Sequence, residues 1–162
     1  NVGAAPTGFK FARTGQGALG QWTVVRDATA SAGRVIEQSS ADRTDYRFPL
    51  AIFDSIVAKN IDVSVRFKPV AGRVDQAGGI AIRVLDSDNY YVVRANALED
   101  NVRFYRVING RRVQIAGKDI KVASNVWHSL GLKAVNERFF IEFDGEFVVS
   151  RRQQYAQIAL VP

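Results

Sequence analysis

Apolar and polar residues alternate along most of the chain. "IDVSVRFK" sets Ile61, Val63, Val65 and Phe67 against Asp62, Ser64, Arg66 and Lys68. Successive strand side chains point to opposite faces, so this spacing predicts a strand with one buried and one wet face. "GGIAIRVL" repeats the pattern with Ile80, Ile82 and Val84, and "NYYVVRAN" sets Tyr91, Val93 and Ala95 against Tyr90, Val92, Arg94 and Asn96. "NVRFYRVI" and "RRVQIA" flank Asn109-Gly110, while "RFFIEF" and "EFVVS" flank Asp144-Gly145. Both dipeptides supply the positive φ angles of a type I′ hairpin turn. "WHSLGLKAV" is a further strand. Upstream, "QWTVVRD", "RVIEQS" and "YRFPLAIF" are shorter ones, with an edge strand near Phe9 to Phe11. Only "PLAIFDSIVAKN" carries a helical signal, from the spacing of Ile52, Ile56 and Lys59.

Many short strands between turn signals predict an all-β protein, a two-sheet antiparallel jelly-roll sandwich, as a single domain over residues 1–162. Two hairpin registers follow. If "DSDN" closes the first, Leu85 lies opposite Tyr90 and Arg83 opposite Val92. Arg83, Tyr90 and Arg94 then share a polar face, and Ile82, Val84, Tyr91 and Val93 share the apolar one. Through Asn109-Gly110, Phe104 lies opposite Ile115 and Tyr105 opposite Gln114, with Arg103, Tyr105, Arg112 and Gln114 on the polar side.

Composition narrows the function classes. A chain of 162 residues, 47% hydrophobic, is large enough for one core. No apolar stretch approaches the roughly 20 residues of a membrane helix, so membrane insertion is not expected. There is no cysteine, which excludes disulfides and thiolate metal sites. The net charge of +6 favours acidic partners. The arginines are scattered, however, and the tight pairs are Arg111-Arg112 and Arg151-Arg152. A nucleic-acid footprint is a clustered stripe, so nucleic acid is not an expected partner. The start "NVGAAPTG", without methionine, reads as a processed or trimmed end.

Several constellations carry chemistry on paper. Glu142, Asp144 and Glu146 have the E-x-D-x-E spacing of a strand-borne carboxylate pair, in which a retaining pair sits roughly 5 Å apart. Asp144-Gly145 is also a hairpin turn, which breaks the alternation that mechanism needs. "DSDN" (Asp86 to Asn89) offers oxygen ligands for calcium, although a plain turn uses the same residues. His128 is the single histidine. A zinc site takes several His or Cys ligands, so His128 and the adjacent Trp127 read as structural, and no cofactor or metal is expected. Gly78-Gly79 lacks a phosphate-loop lysine and reads as a bulge or close backbone approach. The remaining candidate is the polar face of Arg83, Tyr90, Arg94 and Asn96, with Asp75, Gln76, Glu99 and Asp100 in the adjoining loops. Tyr, Arg and Asn suit a sugar's C–H face and hydroxyls. Ordinary alternation on a half-exposed sheet explains the same residues, and both readings stay open.

"VSVRFKPVAGRVDQAGGIAIRVLDSDNYYVVRANALEDNVRFYRVINGRR" resembles bacterial concanavalin A-like jelly rolls labelled 3-keto-disaccharide hydrolase or family-sixteen-like glycoside hydrolase domains. "DQAGG" and "NYYVVRANALEDN" are the most specific parts, and the similarity runs to about Val149. It implies a jelly roll with a curved, concave polar face, an exported (periplasmic or secreted) bacterial protein, and a glycan partner. Three functions follow as alternatives: a carbohydrate-binding domain, a glycoside-processing enzyme, or a structural, self-assembling protein. The last rests on the C-terminus. Similar proteins continue through two more strands, whereas "QIALVP" (Gln157 to Pro162) begins the first and the chain stops. An open sheet edge is a template for another strand, so a strand supplied in trans or self-association through that edge is expected.

Overall fold

The structure, a computed structural model, describes residues 1–152. Every regular element among them is a strand, and all pairing is antiparallel. The helical spacing in 49–60 does not produce a helix: Arg47–Phe53 is a strand that ends in a turn at Asp54 and Ser55. Gln157–Pro162, on which the open-edge expectation rests, lies outside the described residues.

The chain divides into two compact units, 1–57 and 58–162. In the first, β1 (Phe9–Gly15) pairs with β4 (Arg47–Phe53), and β2 (Trp22–Arg26) with β3 (Arg34–Gln38). Among the described residues the first pair has no further strand beside it in its sheet, so Pro49 in β4 does not leave a third described strand's acceptor unpaired. Arg47 anchors the loops here. Its Nε donates to the Ala18 carbonyl at 2.8 Å, and its Nη2 donates to the Leu19 carbonyl at 3.3 Å and the Ser40 hydroxyl at 2.9 Å. Asp42 accepts the Ala18 N–H at 2.6 Å and the Thr44 hydroxyl and N–H at 2.7 and 2.9 Å. Those bonds, with Arg47 beside them, hold the Asp42 pKa down at about 2.

The second unit contains two four-stranded sheets. One runs β12-β11-β10-β5: β5 (Ile61–Phe67), β10 (His128–Val135), β11 (Arg138–Phe143) and β12 (Glu146–Arg152). The other runs β6-β7-β8-β9: β6 (Ala77–Asp86), β7 (Asn89–Asn96), β8 (Asn101–Ile108) and β9 (Arg111–Asp119). The alternating apolar residues of both meet in one core. Ile80, Ile82, Tyr91, Val93, Val102 and Phe104 come from one sheet, and Leu130, Leu132, Phe139 and Ile141 from the other. Asn109-Gly110 and Asp144-Gly145 take the positive φ angles expected of their turns.

Registers depart from simple hairpin geometry at bulges. Asp86 pairs with Asn89, but Ile82 then pairs with Tyr91, so residues 83–85 face Tyr90 alone. The insertion has two extra residues. Because the side-chain period is two, Ile80 and Ile82 still face the core, and only the bulge itself is re-aimed. Likewise Tyr105 pairs with Gln114 as expected, but a bulge moves Phe104 opposite Ala116 in place of Ile115.

Gly78 and Gly79 mark close approach, as their context suggests. A Cβ on Gly78 would sit 2.7 Å from Phe67 Cγ, and one on Gly79 would sit 2.4 Å from the Val93 carbonyl oxygen. The Gly79 clash is with backbone and cannot be relieved by a rotamer change. Gly79→Ala is expected to destabilise the protein by on the order of 1–3 kcal/mol, the cost of forcing extra atoms into a close-packed contact, here with the neighbouring backbone, as read from the urea midpoint. Asp42 has the opposite pH signature from a group that burial penalises. Its folded pKa lies below the unfolded value near 3.8, so its contribution is present above pH 4 and is lost as pH falls toward 2. Amide protection factors in 16–20 and 40–47, corrected for the intrinsic exchange rate at each pH, should fall over that window, and Asp42→Asn should abolish the dependence.

Candidate functional site

The outward side of β7 and β8 is set by pairing. Val92 lies opposite Tyr105, Arg94 opposite Arg103, and Asn96 opposite Asn101. The row through Arg94 crosses the whole sheet as Gly79, Arg94, Arg103, Gly117. Glycine at both ends leaves room for two long side chains: a Cβ on Gly117 would sit 2.6 Å from Arg103 Cδ.

Arg94 is the centre. Its Nη2 donates to Glu99 Oε2 at 2.7 Å and to the Tyr105 hydroxyl at 3.3 Å, and its Nη1 donates to Asn101 Oδ1 at 3.3 Å. Its Nε is buried with no acceptor among the described residues. Arg112 stacks on the Tyr105 ring, 4.4 Å from its centroid, and Arg94 lies 5.7 Å from the same centroid. Burial opposes the Arg94 charge, but the bond to Glu99 and the nearby Tyr105, Glu99 and Asp75 outweigh it and raise its pKa. Glu99 moves the other way, held below its usual value first by Arg94 and then by Asn101 against partial desolvation. Asp75 is half-buried. Desolvation raises its pKa, the Glu99 charge adds to this, and Arg94 and Arg112 oppose it.

The six residues proposed from sequence separate into four roles. Asp75 and Arg94 meet in this cluster. Asn96 is fully buried and shapes the loop: its Oδ1 accepts the N–H of Leu98 at 3.0 Å and of Gln76 at 3.3 Å, and its Nδ2 donates to Asp75 Oδ1 at 2.5 Å. Gln76 frames the same end, with Oε1 accepting from the Ser124 hydroxyl at 2.7 Å and Nε2 donating to the Gly72 carbonyl at 3.3 Å. Both position other groups. Tyr90 is on Arg94's side of β7 as alternation requires, but it is 1% exposed and presents no ring to a ligand.

Arg83 is not on this face. It sits in the two-residue bulge with φ of 51°, and its guanidinium lies 5.0 Å from the ring centroid of Phe139, a core residue of the other sheet. It donates to the carbonyls of Asn136 and Lys59. The bulge turns the side chain away from Arg94 and makes it a tie across the two sheets.

Tyr105, Asn101 and Arg112 complete the cluster and were not joined to it from sequence. Their polar side was legible, but only on the next hairpin. The four-residue link "ALED" carries the missing signal, because it fixes Asn96 opposite Asn101 and so merges the two polar faces. Asp100, in that link with φ of 49°, faces the β9–β10 loop: it accepts from Lys121 at 2.8 Å and from the Val122 N–H at 3.1 Å.

The other constellations take turn and packing roles. Asp144 accepts the Ser129 N–H at 2.7 Å and contacts His128 Nδ1 at 2.6 Å, at the hairpin that separates it from Glu142 and Glu146. His128 is 5% exposed, stacks on Phe143, and reaches the Ala123 carbonyl through Nε2 at 2.9 Å. In "DSDN", Asp86 accepts the Asp88 N–H at 2.7 Å and the Asn89 amide at 2.9 Å, which is turn chemistry. Among the described residues, no three His, Cys, Asp or Glu side chains gather as metal ligands.

No family model matches the sequence, and no curated protein matches it. Among solved structures it is similar to the carbohydrate-binding module CBM66 from Bacillus subtilis. The identity is 22% and the TM-score 0.64, over 88% of this chain and 79% of the module. At that identity the likeness establishes the fold, an all-antiparallel β-sandwich.

Asp75 gives the site a stability signature. Its folded pKa is raised, so its ionisation penalty is absent below the unfolded value, grows as pH rises from there to the folded value, and is complete above it. Asp75→Asn keeps an oxygen for the Asn96 amide and removes the charge. It should leave the melting temperature at pH 7 unchanged or higher and flatten its pH dependence above the unfolded carboxylate value near 3.8.

Proposed function

We propose that this chain is a carbohydrate-binding domain and that the Arg94 face is its binding surface. One observation carries the reading. Two carboxylates and two guanidiniums converge on an outward sheet face, with Arg94 nearly buried and one of its N–H groups without an acceptor among the described residues. Such a cluster costs folding free energy: an unsatisfied buried donor is worth roughly 1–3 kcal/mol. It also presents carboxylate acceptors and a guanidinium donor together, the groups that a sugar hydroxyl, at once donor and acceptor, can pair with. The carbohydrate-binding module with the same fold adds support, although fold alone does not fix function. An extracytoplasmic location, where polysaccharide is encountered, is part of this proposal.

The test is affinity electrophoresis and calorimetry against a panel of polysaccharides, with reducing-sugar release measured in parallel. Arg94→Ala and Asp75→Asn should each lower affinity at least tenfold. Glu142→Gln, on the other sheet, should leave it unchanged. Retained affinity in both site variants would place binding elsewhere. Release of sugar that depends on Asp75 would make the domain an enzyme.

A further inference from the structure

The chain carries a net charge of +6, which by itself points to anionic glycans. The Arg94 face is built differently. We infer that it selects neutral, hydroxyl-rich sugars and discriminates against uronates and sulfated glycans; this rests on the Arg94 face being the glycan site.

Recognition of a carboxylate or sulfate is strongest when an arginine presents two parallel N–H groups to it. Arg94, the arginine at the centre of the face, does not have that fork free. On Arg94, Nη2 is committed to Glu99 and Tyr105, and Nη1 to Asn101. Arg103 is paired with Asp119 at 2.5 Å, and Arg112 is stacked on Tyr105. The cluster is also balanced: Arg94 and Arg112 both act on Asp75 and Glu99, two cations for two anions.

Exposure then decides what a ligand meets. The Arg94 side chain is 11% exposed and that of Glu99 is 47% exposed. The carboxylate stands forward and the guanidinium lies behind it. An ionised carboxylate only accepts hydrogen bonds, so the partner it wants is a donor such as a sugar hydroxyl. A ligand carboxylate would meet Glu99 and Asp75 as like charges at short range. The remaining basic residues are dispersed, and their attraction is screened within about 8 Å at physiological salt.

The experiment compares each neutral polysaccharide that binds with its own C6-carboxylated derivative, by calorimetry at physiological salt. Carboxylation should weaken binding by tenfold or more. Glu99→Gln should shrink that ratio toward one, because the forward charge is gone while the side chain keeps its shape. Equal or tighter binding of the carboxylated form, lost in Arg94→Ala, would overturn the selectivity and leave the site assignment standing. If neutral binding is unaffected by both Arg94→Ala and Asp75→Asn, the site assignment fails, and the selectivity argument with it.

Discussion

Tyr91, Phe104 and Phe139 form a triangle of rings between the two sheets, with centroids 5.0 to 6.1 Å apart. Each ring is essentially buried. Aromatic contacts at these distances combine a large buried area with a further geometric preference of about 0.5–1.5 kcal/mol per pair. The triangle fixes which side of β7, β8 and β11 faces inward. A slip of one residue would put Val92 or Arg94 in place of Tyr91 or Val93, and an arginine there would be a charge without a partner. The outward direction of Arg94, Arg103 and Tyr105 is therefore a consequence of core packing.

What stands on that outward side is arranged against local stability. Asp75 is desolvated enough for its proton affinity to rise, and Arg94 leaves a buried N–H without an acceptor among the described residues. Asn96, Asn101 and Gln76 supply the rigidity that holds these groups in place, through hydrogen bonds to loops on both sides. Local groups held in unfavourable surroundings by a rigid frame are common where a protein binds something, because binding can restore what folding withheld.

The alternation of "IDVSVRFK" and "NYYVVRAN" and the two turn dipeptides made the strands and their inward faces legible. These are local rules, and nothing distant overrides them at Asn109-Gly110 or Asp144-Gly145. Arg83 was misplaced for the opposite reason. Its conformation depends on Phe139 and Asn136, more than 50 residues away, and no local pattern announces a bulge there. Tyr90 followed the alternation correctly, yet period two says nothing about whether a face is covered. The helical spacing of Ile52, Ile56 and Lys59 yielded to β4, whose partner β1 lies about 40 residues earlier. Of the site, Arg94 and Asp75 were visible as residue types in context. Tyr105, Asn101 and Arg112 required the register of the Asn96–Asn101 link.

The bulge at 83–85 also bears on how this sheet tolerates change in chain length. Two extra residues leave the facing of every neighbour intact, whereas one would invert Ile80 and Ile82 relative to Tyr91 and Val93. Insertions and deletions at this point are thus admitted in even steps, and odd steps are excluded by the core itself. The arginine at the bulge takes its φ of 51° under that same rule: with parity already satisfied outside the insertion, its backbone leaves the regular pleat and its side chain reaches across to the other sheet.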